Sequence, residues 1–144
     1  MKVLKDRPPG TILEFPLPTG EYAYARVMLD LNLAFYRTRS RSSGHPPVGE
    51  RDFEFILTVH DVVILDRDLR VVGFDRAIEP SEDVPPPKMV RDFFTGSVSI
   101  LRDGEVVEAT EAEVEELEMA AVWNLRHVIE RLLGQRGRDG RLMD

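Results

Sequence analysis

A chain of 144 residues, 42% apolar and 31% charged, is long enough to bury a sizeable core and has the make-up of one globular domain, residues 1–144. The absence of cysteine excludes disulfides, thiolate metal sites and a thiol nucleophile, and a net charge of -7 argues against a general nucleic-acid binder, which needs a basic surface. No apolar run approaches the length of a membrane span, and the opening Met1-Lys2-Val3-Leu4-Lys5-Asp6 lacks the apolar stretch of an export signal, so no membrane association and a cytoplasmic location are expected.

In chain order, Gly10 opens an apolar strand, Thr11-Ile12-Leu13-Glu14-Phe15, which Pro16-Leu17-Pro18-Thr19-Gly20 closes by supplying a turn. Residues 21–29 form a second strand, with Ala23, Ala25, Val27 and Leu29 on one side of the pleat and Tyr22, Tyr24, Arg26 and Met28 on the other. Asp30-Leu31-Asn32 connects it tightly to a third strand, residues 33–37. Residues 39–50 are rich in Ser, Gly and Pro and read as a surface loop. The most hydrophobic stretch, 53–65, is expected to be a central strand, turned by Asp66-Arg67-Asp68 into an antiparallel partner over 69–74. Four prolines make 79–88 irregular, and Asp103-Gly104 signals a last hairpin between 97–101 and 105–108.

The period then changes. Thr110 and Glu113 form a capping-box pattern, and Val114, Leu117, Ala121, Leu125, Val128 and Leu132 recur at steps of three and four. This spacing predicts one long helix from about Thr110 to Leu133, ended by Gly134, with a frayed tail over 134–144. The expected fold is therefore α+β: a mainly antiparallel sheet or partly open barrel over 11–109, with one long C-terminal helix packed on it.

Catalytic chemistry finds little support. His45, His60 and His127 fall in a loop, a strand and a helix, without the short spacing that puts two ligands on one metal. Asp66-Arg67-Asp68 reads as a turn, and no serine sits in a nucleophile elbow. Glu21, Glu54 and Asp61 are not singled out by any pattern. No cofactor, no metal and no enzymatic activity are expected.

Two surfaces stand out as binding candidates. Asp103, Glu105, Glu108, Glu111, Glu113, Glu115, Glu116 and Glu118 have no Lys or Arg between them, which suggests a docking surface for a basic partner. Trp123 lies off the apolar stripe of the predicted helix, where it is either covered by a second layer such as residues 80–87 or exposed as an anchor. Glu111, Glu115, Glu116, Glu118 and Trp123 are therefore the first candidate partner-binding set. The alternative face is Tyr22, Tyr24, Arg26 and Tyr36, close to Arg37, Arg39 and Arg41, where aromatics beside arginine would suit single-stranded RNA.

Three segments carry a family resemblance: Gly10-Thr11-Ile12-Leu13-Glu14-Phe15-Pro16-Leu17, then Gly20-Glu21-Tyr22-Ala23-Tyr24-Ala25-Arg26-Val27, then Ala34-Phe35-Tyr36, with an echo in Ala121-Val122-Trp123. In these the chain resembles the immunity protein 26 family of bacterial polymorphic-toxin systems, departing from it at Thr11, where the family carries an acidic residue. The resemblance implies a mainly β fold and a protein that binds and inactivates a cognate toxin, a nuclease among the candidates, in the cell that makes it. The family name has also been attached to phosphotriesterase activity, but the clustered metal ligands of known phosphotriesterases are not visible here. A small metal-dependent hydrolase and an RNA-binding module are the alternative readings.

Overall fold

Apolar residues on both sides of the pleat place the first strands at the centre of the protein. In a computed structural model, which describes residues 4–143, they are Thr11–Pro16 (β1), Tyr22–Val27 (β2) and Asn32–Tyr36 (β3), buried along almost their whole length. Residues 1–3, within the opening segment expected to lack an export signal, and Asp144, the end of the predicted tail, lie outside the described residues. Phe53–Val59 (β4) extends the antiparallel meander, Arg70–Phe74 (β5) adds to the other side of β1, and the sheet runs β5-β1-β2-β3-β4 before a short sixth strand. The fold is α+β and mostly antiparallel, with few helices and no closed barrel among the described residues.

One face of this sheet carries the main core. Phe15, Phe35 and Phe55 stack in sequence, with centroids 5.3 and 5.0 Å apart, beside Leu13, Leu33 and Leu57. The other face buries Ile12, Tyr24 and Tyr36.

The stretch 53–65 is not one strand. β4 ends at Val59, and Asp61–Ile64 (α1) follows, burying Val63 and Ile64 against the core. The Arg7 guanidinium donates to the Ile64, Asp66 and Leu69 carbonyls at 2.6, 2.9 and 3.0 Å, fixing the bend. The expected hairpin between this stretch and residues 69–74 is absent for the same reason: the bend sends β5 to the far side of the sheet, where it pairs with β1.

Residues 88–109 build a second sheet instead of extending the first, which corrects the expectation of one sheet over 11–109. Lys88–Arg91 (β6), Val98–Arg102 (β7) and Glu105–Ala109 (β8) pair antiparallel in the order β6-β7-β8. The predicted Asp103-Gly104 turn is present, with φ of 51° and 79°, the left-handed pair that a two-residue hairpin requires.

The predicted long helix is replaced by two short ones. Thr110 caps Glu111–Val114 (α2) with the expected capping box, but the helix stops there. Glu111 and Glu115, and Glu115 and Glu118, would sit one turn apart on a continued helix, and each like-charged pair weakens it by about 0.2–0.5 kcal/mol. Extended backbone gains more. Met89 donates to the Glu118 carbonyl and accepts from the Ala120 N–H, which closes the outer edge of β6. Val122–Trp123 (β9) then pairs in parallel with β4 at Thr58 and Val59. Asn124 opens a new helix, Leu125–Leu132 (α3), by accepting from the His127 N–H at 2.9 Å. Of the predicted stripe, Val114, Val128 and Leu132 are buried, Leu117 and Leu125 are half-buried, and Ala121 is exposed.

Gly134 ends α3 as expected, at φ 76°, with Gln135 donating to the Glu130 carbonyl and Gly134 to that of Arg131, a Schellman motif. The tail does not fray. Residues 134–143 fold back through bonds from Gly137 to Arg141 and from Met143 to Gln135, and Met119 donates to the Arg138 carbonyl.

Lys88 ties the second sheet to the first. It is buried, and its ammonium donates to the Ile56 carbonyl of β4 at 2.7 Å. Burial pulls its pKa down to about 8; Glu118 pushes it up and Arg131 pulls it further down. A folded-state pKa below the unfolded one means that the unfolded chain holds the proton more tightly, so stability rises with pH through this window. Between about pH 7.5 and pH 10 the native protein should gain roughly 2 kcal/mol from this group. Denaturant midpoints across that range should show the rise, and Lys88→Met should flatten it.

Candidate functional site

The tyrosine and arginine face proposed from sequence is internal. Tyr24, Arg26 and Tyr36 are buried and Tyr22 is half-buried, beneath the loops that follow β3 and β5. Glu14, also buried, accepts from the Ser43 hydroxyl and Gly44 N–H at 2.6 Å each and from the Tyr24 hydroxyl at 3.2 Å. Burial alone would raise this carboxyl, but those bonds outweigh it and hold Glu14 below the usual carboxylate range. Asp75 is the second hub. It accepts from the Tyr36 hydroxyl at 2.6 Å, from the Gly49 N–H at 3.0 Å, and from Arg51 through both carboxylate oxygens at 2.8 and 3.0 Å. Its burial works against ionisation, and Arg51, Tyr36 and Gly49 reverse the balance, lowering its pKa. Arg26 donates to the Asp75 carbonyl and to the Asp83 carboxylate at 2.9 and 2.6 Å. The face is thus a polar seam that clamps two loops onto the sheet, and its buried tyrosines offer no platform on which bases could stack. Arg37 and Arg39 lie outside it, beside Asp52 and Glu54 at 3.1 and 3.5 Å, and Arg41 is exposed.

Trp123 is not an exposed anchor either. It is 4% exposed, held in the core by the pairing of β9 with β4, with the Arg131 guanidinium 5.7 Å from its ring centroid. The folded tail covers it: a Cβ built on Gly140 would lie 3.7 Å from the indole.

The acidic run is less bare than its sequence suggests. Glu111 receives both nitrogens of the Arg91 fork at 2.9 and 3.0 Å, and Glu118 both from Arg131 at 2.8 and 2.9 Å. Glu116 lies 3.9 Å from Arg138, which also bonds the Glu115 carbonyl. The arginines come from elsewhere in the chain, so the premise that this run is uncompensated is corrected. Asp103, Glu105 and Glu108 remain exposed at the far end of the second sheet. The three histidines sit on separate elements, and among the described residues no group of three or more His, Asp or Glu side chains is placed to hold a metal ion.

What the structure adds is an aromatic pair. Phe93 and Phe94, in the turn between β6 and β7, are 88% and 101% exposed. The turn is built to hold them out. The Asp92 carboxylate accepts from the Phe94 and Thr95 N–H groups at 2.7 and 3.1 Å, and Arg91 donates to the Gly96 carbonyl at 2.9 Å while its fork grips Glu111. Beside the pair runs an open groove of about 870 Å³ between the second sheet and the folded tail, lined by Met89, Leu117, Met119 and Met143 with Glu111 and Glu115 on its wall. Two of the acidic residues singled out from sequence therefore belong to this surface. The sequence did hold a sign of the aromatic pair: Asp92-Phe93-Phe94-Thr95-Gly96 sets two large apolar residues inside turn-forming ones, where neither can reach a core.

Comparison of the chain with protein-family models, with curated proteins and with solved structures returns no match.

Proposed function

We propose that this chain is an immunity protein, which binds a toxin domain in the cytoplasm of the cell that makes both and neutralises it by occluding its active site, with no catalysis of its own. The observation that carries the proposal is the fully exposed Phe93 and Phe94, held on a braced turn beside a methionine-lined groove. Large aromatics presented in a fixed geometry are what binding hot spots are made of, and bracing before contact lowers the ordering cost of association. Methionines lining the groove give it an adaptable apolar surface. Arg91, Arg138 and Arg141 offset most of the acidic residues on the groove itself, so the negative field that would favour a basic partner such as a nuclease and speed its encounter comes from Asp103, Glu105 and Glu108 on the same sheet and from the net charge of -7. The segment resemblances to immunity protein 26 point the same way.

The test is genetic and direct. The neighbouring gene is read first: the proposal expects it to encode a large secreted protein with a short toxic C-terminal domain, and that domain is expressed in a host that it arrests, with and without this chain. Co-expression of the native chain should restore growth, and a Phe93→Ser/Phe94→Ser variant should not, although it folds. Continued arrest with the native chain present at full level would contradict the proposal.

A further inference from the structure

The second sheet has one closed edge and one open edge. β6 is covered by the backbone of residues 118–120, but among the described residues β8 has β7 on one side only. Its register with β7 is regular over five residue pairs, from Arg102 opposite Glu105 to Val98 opposite Ala109. In a two-residue hairpin the pair flanking the turn is the hydrogen-bonded one, and bonded pairs then alternate. Glu105, Val107 and Ala109 therefore spend their backbone groups on β7, and Val106 and Glu108 aim theirs outward. The other long edge, β5, contains a register shift in its pairing with β1 and carries Arg70. Irregular pairing and proline, two usual guards of an open edge, are absent from β8, whose guard is the charge of Glu105 and Glu108, which repels acidic strands and leaves basic ones admissible.

The side chains on β8 say what the edge admits. Glu105 and Val107 share one face of the sheet with Ile100 and Arg102, beside a shallow groove of about 430 Å³ where Asp103, Glu105, Glu108 and Glu113 outnumber that one arginine. Val106 and Glu108 share the other face, and both valines are more than half exposed. A second copy of this chain is disfavoured here, since the fully overlapped antiparallel register of two β8 strands, Val106 opposite Glu108, brings the two Glu108 carboxylates to diagonal positions on one face. An extended segment with basic side chains meets no such penalty.

We propose that β8 is a strand-addition site that takes an extended, basic segment of a protein partner, paired through the backbone of Val106 and Glu108, with its cations beside Glu105, Glu108 and Glu113. Backbone pairing supplies affinity in this mode, and the flanking carboxylates supply the selection. The site deepens the immunity reading by giving its basic partner a second attachment on the sheet that carries the aromatic turn.

A probe peptide tests the site without the toxin. A short peptide alternating lysine and valine is titrated into the isotopically labelled native protein, with a glutamate–valine peptide as control. The amide signals of Val106 and Glu108 should shift and become protected from exchange with the basic peptide alone. Val106→Pro and Glu108→Pro each delete an outward N–H that β7 does not use, so the hairpin should survive while peptide affinity falls at least about tenfold. Glu105→Gln/Glu108→Gln leaves the backbone intact and should weaken binding most at low salt. Shifts confined to other residues, equal binding of both peptides, or proline variants that bind as well as native would overturn the proposal. A native protein that sediments as a dimer, and becomes a monomer on Glu108→Pro, would replace the basic partner with a second copy. Toxin capture unaffected by the proline variants would fault the site alone. Peptide binding without any toxin capture would fault the immunity reading alone.

Discussion

Asp75→Ala is expected to destabilise the fold by roughly 3–5 kcal/mol, the usual cost of removing one partner from a buried, hydrogen-bonded ion pair. Asp75 is 3% exposed, and its loss strands the buried Tyr36 hydroxyl and the Gly49 N–H and leaves Arg51 without its bidentate acceptor. The two loops it clamps would loosen together, so the seam over β2 and β3 should lose exchange protection first. Asp75→Asn keeps the volume and part of the bonding and should cost less. The pH dependence follows from the same residues. Asp75 and Glu14 titrate in the folded protein below their ordinary values, so between those values and the ordinary ones the unfolded chain binds more protons. Their contribution is complete above about pH 5 and is lost as pH falls through the lower folded values. Acid titration followed by circular dichroism should show the loss, and Asp75→Asn should make it shallower.

The second large effect falls on binding and leaves the fold alone. Phe93→Ala/Phe94→Ala removes two side chains that touch almost nothing within the chain, so stability should change by no more than about 0.5 kcal/mol. Hot-spot aromatics cost about 2 kcal/mol each when truncated, so the pair should weaken a toxin complex by about three orders of magnitude if their effects add. Most of the change should appear as faster dissociation, because the electrostatic field that governs encounter is untouched. The contrast with Asp75→Ala is diagnostic: one variant loses the fold and with it the partner, and the other loses the partner only.

The first three strands were legible because their pattern is local. Proline and glycine punctuate β1, aromatic and β-branched residues mark β2 and β3, and Asp103-Gly104 can hardly form anything but a tight hairpin. The capping box at Thr110 was read correctly, and so was the stop at Gly134. The reading went wrong where distant partners decided the outcome. Periodic apolar residues from Val114 to Leu132 fit one helix well, yet that helix would have left Trp123 off the buried stripe. The misfit was itself the signal, since a large aromatic on the wrong face is relieved by breaking the helix. Asn124, a strong N-cap in mid-pattern, marked the place.

The candidate surface was legible only in part. Glu111 and Glu115 do border the groove beside the aromatic turn, but the charge pattern hid the arginines that neutralise much of the run, because Arg91, Arg131 and Arg138 reach it through folding. The tyrosines and Arg26 were correctly placed on one side of β2 and β3; what covers them is a pair of loops whose closure depends on Glu14 and Asp75, acids with no motif around them. Free edges such as β8 are likewise invisible until strand order is known.

The central claim is that this chain acts by capturing a toxin domain through the surface around Phe93 and Phe94, and an equilibrium titration of that purified domain into the native protein tests it most directly. The claim predicts an equimolar complex with a sub-micromolar Kd that weakens as salt is raised and is all but lost in Phe93→Ala/Phe94→Ala. Absence of any complex at micromolar concentrations, or a complex indifferent to loss of both phenylalanines, would contradict it.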